Sequence, residues 1–261
     1  MWSWAGERPE PAPQLAGWPG MSDPRHTDLP EQLRRTPELG FGLIFLLALA
    51  GLLFFLLAGE VVEGDTKAFD EWLLLLLRNP ADLSDPVGPL WFEEIARDMT
   101  ALGGVFWLTL LTLWVAGYLA LSRHFGTMWF MLLAIGGGTL LSRGAKLFFD
   151  RPRPDLVPHE SIVYTASFPS GHSMLSAVVY FTLAVMLSRL EARRLMKIYI
   201  LTAAILLTGV VGMSRVYLGV HWPTDVLAGW SAGAAWATAC FLVARWLQGR
   251  GRIEPGEEAR D

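Results

Sequence analysis

Six apolar runs dominate this chain and leave few folds open to it. Phe41–Gly59, Ala101–Leu121, Met128–Phe149, Met174–Ser188, Ile198–Met213 and Val226–Leu247 each come near the roughly 20 residues needed to cross a bilayer. Backbone amides and carbonyls must be satisfied inside each span, which favours helices. The expected fold is therefore all-α, a bundle of six transmembrane helices.

Charged residues gather between the runs, as the cost of burying charge in lipid requires. Assigning the connections alternately to two sides puts Arg34, Arg35, Arg123, Arg189, Arg193, Arg194, Lys197, Arg245, Arg250 and Arg252 on one side. The positive-inside rule makes that side cytoplasmic, with both termini there. The expected location is the plasma membrane, as a multi-pass protein. A formal net charge of −4 gives no reason to expect a nucleic-acid partner. The single cysteine, Cys240, lies in the last run and excludes an internal disulfide.

Residues 1–39 are rich in proline and polar groups and read as a disordered cytoplasmic tail despite Trp2, Trp4 and Trp18, with Met21 as an alternative start. The membrane domain spans 40–248, its catalytic core 128–247, and a short cytoplasmic tail covers 249–261. Within the outer loop 60–100, Trp72–Leu77 is too short to cross. Together with a second stretch from Trp91-Phe92 it predicts two small interfacial helices, separated by Pro80, Pro86 and Pro89. They form either a packed cap or a route for a lipid. Gly136–Gly138 and the Gly229/Gly233 pair have spacings suited to close helix packing.

Three polar clusters interrupt the span ends: Lys146–Pro154, Pro169–His172 and Ser214–Asp225. Lys146 ends the third span, His172 opens the fourth, Arg215 ends the fifth and Asp225 opens the sixth. Parity puts all of them on one face, the outer one. Lys146, Arg153 and Arg215 supply the fixed cations that a phosphate dianion needs. Arg151 and Arg143 read as ordinary bases, the first an exposed loop residue and the second a pairing or snorkelling residue.

Ser170 can cap the helix that follows it, and Gly171 lets the backbone approach an anion at the positive end of the helix dipole. His221 and Asp225 stand four apart, so the carboxylate can fix the imidazole tautomer and free the other nitrogen for attack. His221 then acts as nucleophile while His172 protonates the departing oxygen and later activates water. The cations and helix terminus stabilise the transferring group. His26, His124 and His159 need no function. No cofactor or metal is expected, since these residues offer few ligands and the nearby cations repel a metal ion.

The pattern Lys146-x6-Arg153-Pro154, Pro169-Ser170-Gly171-His172, Ser214-Arg215-x5-His221-x3-Asp225 resembles the signature of the type 2 phosphatidic acid phosphatase superfamily. That superfamily also includes the vanadium-dependent haloperoxidases. The resemblance covers roughly Met128–Leu247 and implies a helical bundle with a metal-free phosphohistidine mechanism. It also implies a lipid phosphate substrate such as undecaprenyl diphosphate, phosphatidylglycerol phosphate or phosphatidic acid. Transfer to an acceptor other than water, a vanadate-dependent peroxidase and a non-catalytic lipid-phosphate transporter are the competing readings. The oligomeric state is left open.

Overall fold

The computed structural model describes residues 37–156, 165–189, 191, 193–248 and 250. The expectations for residues 1–36, Met21, His26, His159 and the C-terminal tail other than Arg250 lie outside the described residues. In chain order the elements are α1 (Pro37–Glu63), α2 (Lys67–Leu75), β1 (Arg78–Asn79), β2 (Asp82–Pro86) and α3 (Leu90–Ala101). They continue as α4 (Val105–Leu121), α5 (Phe125–Phe149), α6 (Gly171–Arg189), α7 (Arg194–Tyr217) and α8 (Pro223–Gln248).

Among the described residues, α1, α5, α6, α7 and α8 are each long and apolar enough to cross a membrane. The sixth candidate is the pair α3 and α4, bent by 47°. The expected span Ala101–Leu121 is thus divided: Ala101 closes α3, and Gly104 stands extended as the residue before α4. The bend lets α3 leave the bundle direction and pack across the end of α7, where Phe92 and Tyr217 meet edge to face at 5.1 Å.

The two short helices of the outer loop form as α2 and α3, but a small antiparallel hairpin lies between them. Its turn follows from Asn79, whose Oδ1 accepts from the Ala81 amide at 3.1 Å in place of a backbone ladder partner. Elsewhere the described architecture is helical.

α6 is the central helix, packed against α5, α7 and α8, while α1 lies along the outside of α8. Large apolar side chains of α1, among them Phe41, Phe45 and Phe55, point outward and exposed, as a lipid-facing surface requires. Between α6 and α8 the backbones nearly touch. A Cβ at Gly229 would lie 2.7 Å from the Ser170 carbonyl, and one at Gly233 would lie 2.6 Å from Ala177 Cβ. The two glycines thus bring the start of α8 against the start of α6, which sets His221 and His172 on the wall of one cavity.

Candidate active site

The start of α8 builds one side of the site by its own capping chemistry. Trp222 precedes the helix, Pro223 takes the first position, where a missing N–H costs nothing, and Asp225 takes the third. The Trp222 amide donates to Asp225 Oδ2 at 2.9 Å, the returning half of a capping box. Asp225 is thereby pinned within its own turn, fully buried. His221, two residues before the helix and 1% exposed, places Nδ1 3.4 Å from Asp225 Oδ2 and 3.2 Å from Ser167 Oγ.

These contacts select one tautomer. Asp225 only accepts, and Ser167 spends its hydroxyl proton on Asp225 Oδ2, so both neighbours of Nδ1 need a proton from it. Arg153 only donates, and its Nη1 lies 3.2 Å from Nε2. The proton therefore sits on Nδ1 and the lone pair on Nε2. Burial pushes the imidazole down to about 3, against the pull of Asp225. The Nε2 lone pair is thus available throughout the neutral range.

The second oxygen of Asp225 belongs to Arg151, whose Nη1 donates to Oδ1 at 2.6 Å and to Thr224 Oγ1 at 2.9 Å. Arg151 Nη2 in turn donates to Asp70 Oδ2 at 2.7 Å. Asp70 comes from α2, far away in sequence, and is fully buried. It also accepts the Thr224 amide at 2.9 Å, one of the N–H groups that the first turn of a helix leaves open. Arg151 is therefore no exposed loop base: its side chain is 13% exposed and stands between two carboxylates that are 0% exposed. The physical reason is that His221, Ser167 and the Trp222 amide all gather at Oδ2, leaving the charge on Oδ1 to be met by a cation.

α5 delivers two of the anticipated cations. It stops at Phe149 because Asp150 turns left-handed at φ 41° and the Pro152 and Pro154 segment cannot continue a helix. Lys146, in its last turn, donates to the Ala166 carbonyl at 2.7 Å. Arg153, beyond the end, donates to the carbonyls of Val220 at 2.6 Å and Thr165 at 3.0 Å. Burial lowers its guanidinium from the ordinary value, but not so far as to remove its charge.

Arg215, in the last turn of α7, donates to Thr100 Oγ1 at 3.0 Å, and its buried Nε has no partner among the described residues. Ser170 accepts from the Ser173 hydroxyl at 3.0 Å and, at a long 3.5 Å, from the Ser173 amide. Gly171 sits so close to Lys146 that a Cβ would lie 3.3 Å from its Cε.

Lys146, Arg153, Arg215, Gly171, His172 and His221 all line one cavity of about 770 Å³. Away from the cations its walls turn apolar, through Leu108 and Leu113 of α4, Leu132 and Ile135 of α5, and Leu175 and Val179 of α6. The cavity thus has a cationic head beside a nucleophilic nitrogen and a greasy body between three helices. That arrangement can hold a phosphate whose ester carries a hydrocarbon chain.

Comparison with known proteins gives the same reading of the chain. Residues 127–248 match the PAP2 superfamily. Phosphatidylglycerophosphatase B of Bacillus subtilis (strain 168) is 34% identical over 190 residues, which cover 70% of this chain and 86% of that protein. The chain belongs to the PAP2 superfamily. A crystal structure described as the first transmembrane PAP2-type phosphatidylglycerolphosphate phosphatase, from Bacillus subtilis, superposes with a TM-score of 0.65. It has 30% identity and covers 77% of this chain and 96% of that one. The putative undecaprenyl-diphosphatase YbjG of Escherichia coli (strain K12) is 34% identical over 141 residues, covering 53% of this chain and 65% of that protein. This PAP2 protein is a multi-pass membrane phosphatase.

Of the residues singled out from the sequence, the PAP2 fold brings Lys146, Arg153, Gly171, His172, Arg215 and His221 to one cavity, with Ser170 and Asp225 directly behind it. Sequence reasoning passed over Asp70, Arg151, Ser167 and Thr224. For Asp70 the distinguishing feature is structural: it shares a face with Thr66 and Leu74 at i−4 and i+4, and all three are buried, whereas Glu71 is not. A signal for Arg151 lay in Asp225, since one histidine cannot satisfy a buried carboxylate.

Proposed function

We propose that this protein hydrolyses a lipid phosphate or diphosphate at the extracytoplasmic face of the plasma membrane through a phosphohistidine at His221. The observation that carries the reading is the Nε2 lone pair of His221, fixed by Asp225 and Ser167, on the wall of a cavity that joins three cations to an apolar channel. Nε2 attacks phosphorus as the bond to the lipid oxygen breaks, and protonated His172 gives its proton to that oxygen. Lys146, Arg153, Arg215 and the start of α6 at Ser170 and Gly171 take the charge of the equatorial oxygens. Water then attacks phosphorus, His172 removes its proton, the N–P bond breaks, and inorganic phosphate leaves with His221 restored. Arg151 and Asp70 hold Asp225 in place through both steps.

The outer placement rests on the distribution of bases. Arg123 lies in the α4–α5 turn, Arg193, Arg194 and Lys197 at the start of α7, and Arg245 and Arg250 at the end of α8. All belong to the bundle end opposite His221. A lipid is favoured over a soluble ester because the apolar walls extend along α4, α5 and α6, and because the named relatives include a phosphatidylglycerophosphatase and an undecaprenyl-diphosphatase. Purified protein in detergent is expected to release phosphate from such lipids without added metal. Full activity in His221→Ala would remove His221 as the nucleophile.

A further inference from the structure

The cavity holds a fourth cation that the phosphate cradle does not use. Arg143 lines it beside Lys146, yet its exposed side chain has no hydrogen bond or ion pair among the described residues. Residues Thr139, Arg143 and Lys146 fall at i, i+4 and i+7 along α5, so they form one stripe on the helix. All three line the cavity, whose facing wall is built from α4 residues including Thr109 and Thr112.

α5 runs outward from Phe125 to Phe149, so Arg143 stands about 4.5 Å deeper in the bilayer than Lys146. It lies on the path that a lipid's chain must take from the cradle into the apolar body of the cavity. An arginine at membrane depth is costly when nothing meets its charge.

Charge balance points the same way. Arg143, Lys146, Arg153 and Arg215 line the cavity, and among the described residues no carboxylate is on its wall. Asp225, behind His221, is already paired with Arg151. One phosphate monoester carries at most two negative charges against these four cations. A second anionic phosphate on the chain side of the scissile bond would reach Arg143, whose planar guanidinium suits bidentate phosphate contact.

We infer that Arg143 is a specificity-determining residue that binds a second phosphate, so that lipids with two phosphates are favoured over those with one. This rests on the lipid-phosphatase reading above. Both a diphosphate lipid and a lipid with a phosphodiester behind its terminal phosphate present that group, whereas phosphatidic acid does not.

The test is kcat/KM for undecaprenyl diphosphate, phosphatidylglycerol phosphate and phosphatidic acid in one detergent, for the wild type, Arg143→Gln and Arg143→Lys. The expected result is a wild-type preference for at least one two-phosphate lipid over phosphatidic acid. In Arg143→Gln that ratio falls about tenfold or more, the size of a lost charge-assisted hydrogen bond, mainly through KM. Arg143→Lys is expected to keep part of the preference. Turnover of phosphatidic acid by each variant reports its folding in the same preparation.

Equal losses on all three lipids would overturn the inference in favour of a structural role, and unchanged ratios would overturn it in favour of simple snorkelling. Wild-type turnover of phosphatidic acid alone would overturn it while leaving the lipid-phosphatase reading intact. Turnover of none of the three by the wild type would instead overturn that reading, and the inference with it.

Discussion

The two sides of His221 are built on opposite plans. Behind it, Asp225, Ser167, Arg151, Thr224 and Asp70 form a buried network in which each carboxylate oxygen accepts from at least one donor. In front of it, Arg215 keeps a buried Nε without a partner among the described residues, and the His172 imidazole has no hydrogen-bond partner among them. In the mechanism proposed above, the difference separates two tasks. Orienting a nucleophile needs groups with no freedom left, whereas receiving a charged substrate needs donors whose capacity is still unspent.

The largest effect is expected in front. In the proposed mechanism Arg215→Gln removes a cation that meets the transferring group and keeps the side chain polar, so kcat should fall by about 10²- to 10³-fold with the fold intact. Steady-state kinetics with a thermal unfolding curve on the same sample checks both halves. A loss confined to stability would erase the distinction between the two sides.

Behind His221 the expected signature is mixed. Arg151→Gln leaves two buried carboxylates without their shared cation and should cost about 3–5 kcal/mol of stability. It should also lower kcat about 10- to 100-fold, as loss of an orienting partner does elsewhere. Asp70→Asn, which keeps an oxygen for the Thr224 amide, should cost less. The double variant should show clear non-additivity, because both changes act on one network. Additive effects would mean that Asp70 reaches the site by another route.

The smallest effect is a pH dependence. The His221 imidazole is lowered to about 3 by burial, whereas in the unfolded chain it takes up a proton near the ordinary value of about 6.5. Between those values the unfolded state binds more protons, so stability contributed at this position falls as the pH falls. The slope is at most about 1.4 kcal/mol per pH unit. Relative to His221→Gln, the wild type should lose stability on acidification from pH 6.5 to 4, read as the difference in unfolding midpoints. A parallel course for the two proteins would contradict the burial of a neutral imidazole.

How much of this was legible in the sequence divides along the same line. Lys146, Arg153, His172, Arg215 and His221 stand at or near the ends of apolar spans, and helix parity puts those ends on one face, so the front of the site could be read from the sequence, with Asp225 as the one member of the rear that shares this signal. Asp70 and Arg151 could not be placed that way. Their partners are far away in sequence, and nothing local distinguishes Asp70 from the neighbouring Glu71 until the buried face of α2 is known. The bend between α3 and α4 was hidden for a related reason. Hydropathy reads Ala101–Leu121 as continuous, while the break comes at Gly103-Gly104, where α3 turns to pack on α7. For Arg143 the sequence cannot choose, because a snorkelling arginine and a substrate-binding one have the same signature.

The central claim is the bond from phosphorus to His221. A single turnover with a lipid labelled in its terminal phosphate, quenched under alkaline denaturing conditions and digested for mass spectrometry, tests it most directly. The account predicts label on the peptide containing His221, localised to the imidazole, labile to acid and absent from His221→Gln. Label on another residue, or continued turnover by His221→Gln with no labelled protein, would contradict it.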